Sequence, residues 1–100
     1  MDQVLTESPN NLRVVGNFQN DTKLEMHLYL EMLCEEVVFQ PGHSIELLAG
    51  FDPDILPLTI GKVGDGIHVH PNRVGDPNWH IRYRGKLIKP GFPTFLSDHD

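Results

Sequence analysis

From Leu24 to Leu48 the chain reads LEMHLYLEMLCEEVVFQPGHSIELL, its longest apolar-rich stretch. Leu24, Met26, Leu28, Leu30 and Met32 alternate there with Glu25, His27, Tyr29 and Glu31. A period of two predicts a strand with the apolar set on a core and the polar set facing water. A helix over about 22–36 is the competing reading, since Thr22 and Glu25 have capping-box spacing and Leu24, Leu28 and Met32 recur every four residues. The flanks favour the strand. Val37, Val38 and Phe39 are β-branched or aromatic, Pro41–Gly42 is a turn signal, and Ile45 and Leu47 then alternate with Ser44 and Glu46.

Short segments of the same kind run through the rest of the chain. Leu12 to Phe18 reads as a strand with Gly16 as a bulge, and Gln19-Asn20-Asp21 as the turn of a hairpin with the strand that follows. Pro41–Gly42 predicts either a tight hairpin or a corner at which the chain changes sheets. Leu56 to Ile60 is extended, and Pro57, which has no amide to donate, places it at a sheet edge or a strand start. Gly61, Gly64 and Gly66 mark a hairpin connection into Ile67 to His70. Trp79, Ile81 and Tyr83 alternate with His80, Arg82 and Arg84, Gly85 turns the chain into Lys86 to Ile88, and Thr94 to Leu96 forms a last short strand. Strands this short between turn signals predict an all-β domain, a small antiparallel β-sandwich or barrel of about seven strands, with an α+β fold as the alternative. The predicted inward residues are Leu24, Met26, Leu28, Leu30, Val38, Ile45, Leu47, Leu58, Ile60, Ile67, Val69, Trp79, Ile81 and Tyr83.

A chain of 100 residues supports one core. Residues 1–10 read as a flexible tail, 11–97 as a single β domain and 98–100 as a frayed end. No run approaches the roughly 20 apolar residues of a membrane helix, and the N-terminus lacks the basic start and apolar stretch of a secretory signal. With Cys34 as its one cysteine the chain forms no internal disulfide, and cytoplasmic residence is the expectation. The net charge of −6 is unevenly spread. Residues 1–58 hold ten acids against Arg13 and Lys23, whereas residues 59–100 hold six bases against four acids. An acidic total argues against nucleic-acid binding driven by phosphate neutralisation.

Two groups of residues could carry chemistry. His68 and His70 are two apart, so on a strand both imidazoles lie on one side, and His80 follows in a strand that could pair with theirs. Three histidines on a β scaffold suit a divalent transition metal. The His-x-His pair resembles that of cupin-type barrels, which implies a small metal-dependent β-barrel enzyme. The cupin Glu is missing, since Asn72, Arg73 and Val74 follow, and Pro41-Gly42-His43 precedes the pair. The simpler expectation is that both histidines sit on a solvated face, with Ile67 and Val69 on the core. The second group is Arg73, His80, Arg82, Arg84 and Lys86, a basic face on which the arginine guanidinium forks could hold an acidic partner segment or a small anion. Cys34, the Asp52/Asp54 pair and the glycines of 61–66 lack the surroundings of a nucleophile, a carboxylate dyad or a phosphate loop.

The residues predict a non-catalytic binding or accessory module, without a cofactor, that docks another protein or a second copy through a sheet edge or the His/Arg face. The alternatives are the metal-dependent enzyme on His68, His70 and His80, and a small-anion binding protein.

Overall fold

The alternating segments become nine strands in the computed structural model, which describes residues 11–72 and 75–100. They are β1 (Leu12–Gln19), β2 (Met26–Leu30), β3 (Glu35–Phe39), β4 (Ser44–Gly50), β5 (Thr59–Val63), β6 (Gly66–His70), β7 (His80–Tyr83), β8 (Lys86–Ile88) and β9 (Thr94–Phe95). Short 3-10 turns occupy Pro53–Ile55 and Leu96–His99. One sheet has the order β1-β4-β7-β8 and the other β5-β6-β2-β3-β9, so the fold is an all-β sandwich. The helix over 22–36 does not form. β2 ends at Leu30, residues 31–34 turn, and Cys34 takes a positive φ of 58°.

The core is made where the two inner faces meet. Leu28 and Leu30 of β2, Val37 and Phe39 of β3 and Val69 of β6 pack against Ile45, Leu47 and Ala49 of β4 and Ile81 and Tyr83 of β7. Trp79, Ile55 and Leu96 close the cluster from the adjoining loops. Most of the predicted inward residues are in this cluster or packed against it; Leu24, Ile60 and Val38 are not, nor is Met32, the last apolar residue of the alternating run. Leu24 is 76% exposed because it precedes β2 in a bend whose carbonyl is held by Asn20 Nδ2 (2.8 Å) and Thr22 Oγ1 (2.9 Å). Met32 lies in the turn after β2. Ile60 is 54% exposed because β5 is the outermost strand. On β3 the register reverses the expected face. Val38 pairs with His27 on the outer side, and Val37 and Phe39 point inward.

The connectivity also departs from the simplest reading of the turns. β1 does not form a hairpin with β2 but pairs antiparallel with β4, with its register shift at Val14/Gly16 marking the expected bulge. The chain crosses between sheets at Asn20, a fully buried polar residue. Its Nδ2 donates to the carbonyls of Leu24 and Phe39, its Oδ1 accepts from the amide and hydroxyl of Thr22, and its backbone bonds to His43 and Gly42. Pro41–Gly42 is the corner at which the chain returns to the first sheet. β6 pairs with β5 through the glycine-rich hairpin and, on its other side, runs parallel to β2. It does not pair with the Trp79–Arg84 segment, which joins β4 and β8.

Candidate metal centre

The parallel pair β2–β6 builds the candidate site. Leu28, Leu30 and Val69 are buried, which fixes the inner faces of both strands and turns His27, Tyr29, His68 and His70 to the outer face. Tyr29 stands opposite His68, and the Glu31 amide donates to the Val69 carbonyl at 3.0 Å, which carries Glu31 to the level of the two histidines. The Glu31 carbonyl accepts the indole N–H of Trp79 at 2.7 Å, so the ligand-bearing residue is pinned from both sides.

His68 Nδ1 lies 3.0 Å from Glu31 Oε2. The His68 and His70 rings stack at 5.7 Å and 27°. One ligand atom from each of Glu31, His68 and His70 lies within 4.8 Å of the others. Ligands bound tetrahedrally at about 2.0–2.1 Å stand about 3.4 Å apart, so an ion would settle these donors, now within 4.8 Å of one another, to that spacing. His68 and Glu31 keep 34% and 22% of their side-chain surface and His70 is exposed, which leaves room for that movement. Two imidazoles and one carboxylate form a donor set of intermediate softness that suits zinc, iron, nickel or cobalt better than calcium or magnesium.

The ring row continues beyond the three candidate ligands. Tyr29 is tilted against His68 at 5.1 Å and stacked with His27 at 6.0 Å. His27 Nδ1 is 2.5 Å from Glu36 Oε2, and its Nε2 is 3.6 Å from Asp65 and 3.8 Å from Glu25. Tyr29 donates its hydroxyl to Asp65 at 3.0 Å. Burial first, and then the Asp65 carboxylate, raise the Tyr29 hydroxyl above its ordinary pKa. Gly66 makes this row possible. A Cβ there would run into the His27 carbonyl and stand 2.8 Å from Tyr29 Cε2.

His80 does not join His68 and His70. It lies on β7 in the opposite sheet, is buried, and donates Nδ1–H to the Asn78 carbonyl at 3.0 Å. Strand spacing put it within reach only if β6 and β7 paired. The group that stands with His68 and His70 is Glu31, which sequence reasoning placed on a water-facing strand but not beside these histidines. The available signal was its phase, shared with His27 and Tyr29.

The arginine face is partly neutralised within the chain. Arg82 Nη1 is 2.6 Å from Glu46 Oε1, and Arg84 Nη1 is 3.6 Å from Asp100. Lys86 donates to the His99 carbonyl at 2.7 Å. Arg82 and Arg84 still line a concavity of about 540 Å³ with Asn17, Ser44 and Glu46. Arg73 lies outside the described residues. No helix among the described residues is long and apolar enough to cross a membrane.

The described residues form a small β-sandwich with two histidines and one carboxylate gathered on an outer face. No family model, curated protein or solved structure matches the chain.

Proposed function

We propose that this protein is a metal-binding module that takes one divalent transition ion on Glu31, His68 and His70. The observation that carries the reading is the approach of three donor atoms to within 4.8 Å of one another, two from β6 and one from the residue that follows β2, its parallel partner. Three protein donors leave coordination positions open to solvent, the arrangement of sites that admit water or an exchangeable ligand. Neighbouring side chains help to place two of the three donors. Trp79 holds the Glu31 backbone and Tyr29 packs on the His68 ring.

The test is calorimetric titration of tag-free protein with zinc, and visible absorption after cobalt loading. One ion per chain is expected. His68→Ala, His70→Ala and Glu31→Gln should each abolish saturable binding, while His80→Asn should leave the stoichiometry unchanged. Protein that takes up neither ion, and whose melting temperature ignores added zinc, would remove the reading.

A further inference from the structure

The five-stranded sheet ends in β5, whose outer edge pairs with no strand among the described residues and whose one charged side chain is Lys62. Folded proteins blunt sheet edges by brevity, bulges, charged side chains or cover, because unpaired amides and carbonyls invite another strand. Here β8 has three residues, β9 has two, and β1 is bulged at Val14/Gly16. β5 has five residues, pairs only with β6 among the described residues, and is exposed along its whole length. On its inner side lies an apolar groove of about 580 Å³ lined by Leu24, Met26, Ile60 and Ile67, with Lys62, Glu25 and Asp65 at its margins.

The turn fixes which backbone groups are available. Gly64, at φ +43°, begins the two-residue connection Gly64–Asp65, and Val63 stands opposite Gly66. In such a hairpin the flanking residues exchange hydrogen bonds, and the N–H and C=O of successive residues point to alternate sides of a strand. Thr59, Gly61 and Val63 therefore bond towards β6, and Ile60 and Lys62 present their amides and carbonyls to the open side.

We infer that β5 pairs antiparallel with β5 of a second copy of this chain, about a two-fold axis through Gly61. In that register Ile60 and Lys62 of one copy exchange hydrogen bonds with Lys62 and Ile60 of the other. On the outer face Thr59 meets Val63, a β-branched cross-strand pair. On the inner face the methylene stem of Lys62 covers the exposed Ile60 of the other copy. Its ammonium, which donates to the Gly64 carbonyl of its own chain at 3.4 Å, approaches a groove whose acids, Glu25 and Asp65, outnumber its one base, Lys62. At the axis the two glycines face each other, and nothing lies within 4 Å of the position a Gly61 Cβ would take. The strand is thus its own complement, and this favours a second copy over a foreign segment. The result is one continuous ten-stranded sheet with its two grooves joined.

Sedimentation velocity from micromolar to near-millimolar protein, in chelator so that the outcome is independent of the metal centre, tests the pairing. A monomer–dimer equilibrium is expected, with the Ile60 and Lys62 amides exchanging more slowly as concentration rises. Lys62→Pro removes one open-side amide from each copy and no β6-facing one, so the dimer loses two hydrogen bonds and should weaken at least about tenfold, with an unchanged circular-dichroism spectrum. Gly61→Cys in a Cys34→Ser background should cross-link to a covalent dimer on mild oxidation, and this holds the test open should the proline variant fold poorly. A wild-type protein that stays monomeric throughout overturns the inference. So does a dimer in which Ile60 and Lys62 exchange at a concentration-independent rate, or an edge that takes only foreign extended peptides.

Discussion

Trp79 Nε1 donates to the carbonyl oxygen of Glu31 at 2.7 Å, so a core tryptophan beside one sheet holds the backbone of a candidate ligand at the end of the other. Trp79→Phe keeps an aromatic ring in the core but removes the donor and part of the volume. A loss of about 2–3 kcal/mol in urea unfolding is expected from the orphaned carbonyl and the cavity together. Zinc affinity should fall in parallel, because Glu31 is no longer held. A variant destabilised with unchanged zinc affinity would show that the indole serves packing alone.

Asn20 satisfies every polar group of its side chain while fully buried, and ties the β1–β2 crossing to Phe39 and, through its backbone, to the Pro41–Gly42 corner. Asn20→Ala leaves several buried groups unpaired at once, and a cost of about 3–5 kcal/mol is expected. Asn20→Asp should be no better, because it replaces the two-bond donor with a second acceptor facing two carbonyls. Thermal melts compare the two directly.

Gly66→Ala is the cheapest probe of the parallel pair. The added methyl meets backbone of β2 and the Tyr29 ring, so the strands must separate locally. We expect about 3 kcal/mol of destabilisation, at the upper end for overpacking. Gly61→Ala, where nothing is near, is the control and should be almost silent in monomer stability.

Glu35 gives the protein a pH dependence of unusual sign. Burial, opposed by Lys89 at 3.6 Å, raises its carboxyl above the ordinary range, and its Oε1 is buried without a hydrogen-bond partner. The folded state therefore holds this proton more tightly than the unfolded chain. Its contribution is fully present below the unfolded pKa and is lost as pH rises through the folded value. Asp100 acts oppositely. The Tyr83 hydroxyl and then Arg84 lower its pKa, so its contribution is lost as pH falls through the lowered value. Glu35→Gln should flatten the decline above the usual carboxylate range, read as the wild-type-minus-variant difference in unfolding midpoints across pH. A difference independent of pH would place the Glu35 proton elsewhere.

The strands were legible in the sequence because one-sided burial leaves a period of two that local reading detects. Trp79, Ile81 and Tyr83, and Leu28 with Leu30, point inward as alternation requires. The pairing of strands was not legible in the same way. Gln19-Asn20-Asp21 has the chemistry of a hairpin, yet Asn20 spends its donors on Leu24 and on Phe39 of a later strand, and so carries the chain across the sandwich. The choice between Val38 and its neighbours on β3 depended on register with β2, which a run of three apolar residues does not encode. The candidate site was half legible for the same reason. His68 and His70 share a face by spacing alone, but Glu31 reaches them through a parallel neighbour and His80 is removed by the strand order.

That parallel pairing has a kinetic consequence. Glu31 and the two histidines are separated by three whole strands, β3, β4 and β5, two of which lie in the sheet of the site and one in the other. The full three-donor group therefore comes together only after the long-range contacts that make sandwich folding slow. His68 and His70 are near neighbours in sequence and would offer an ion two donors even on an open chain, but Glu31 joins them only in the native pairing. An ion held by all three would favour the native basin over the open chain and slow escape from it, acting as a latch on completed folding.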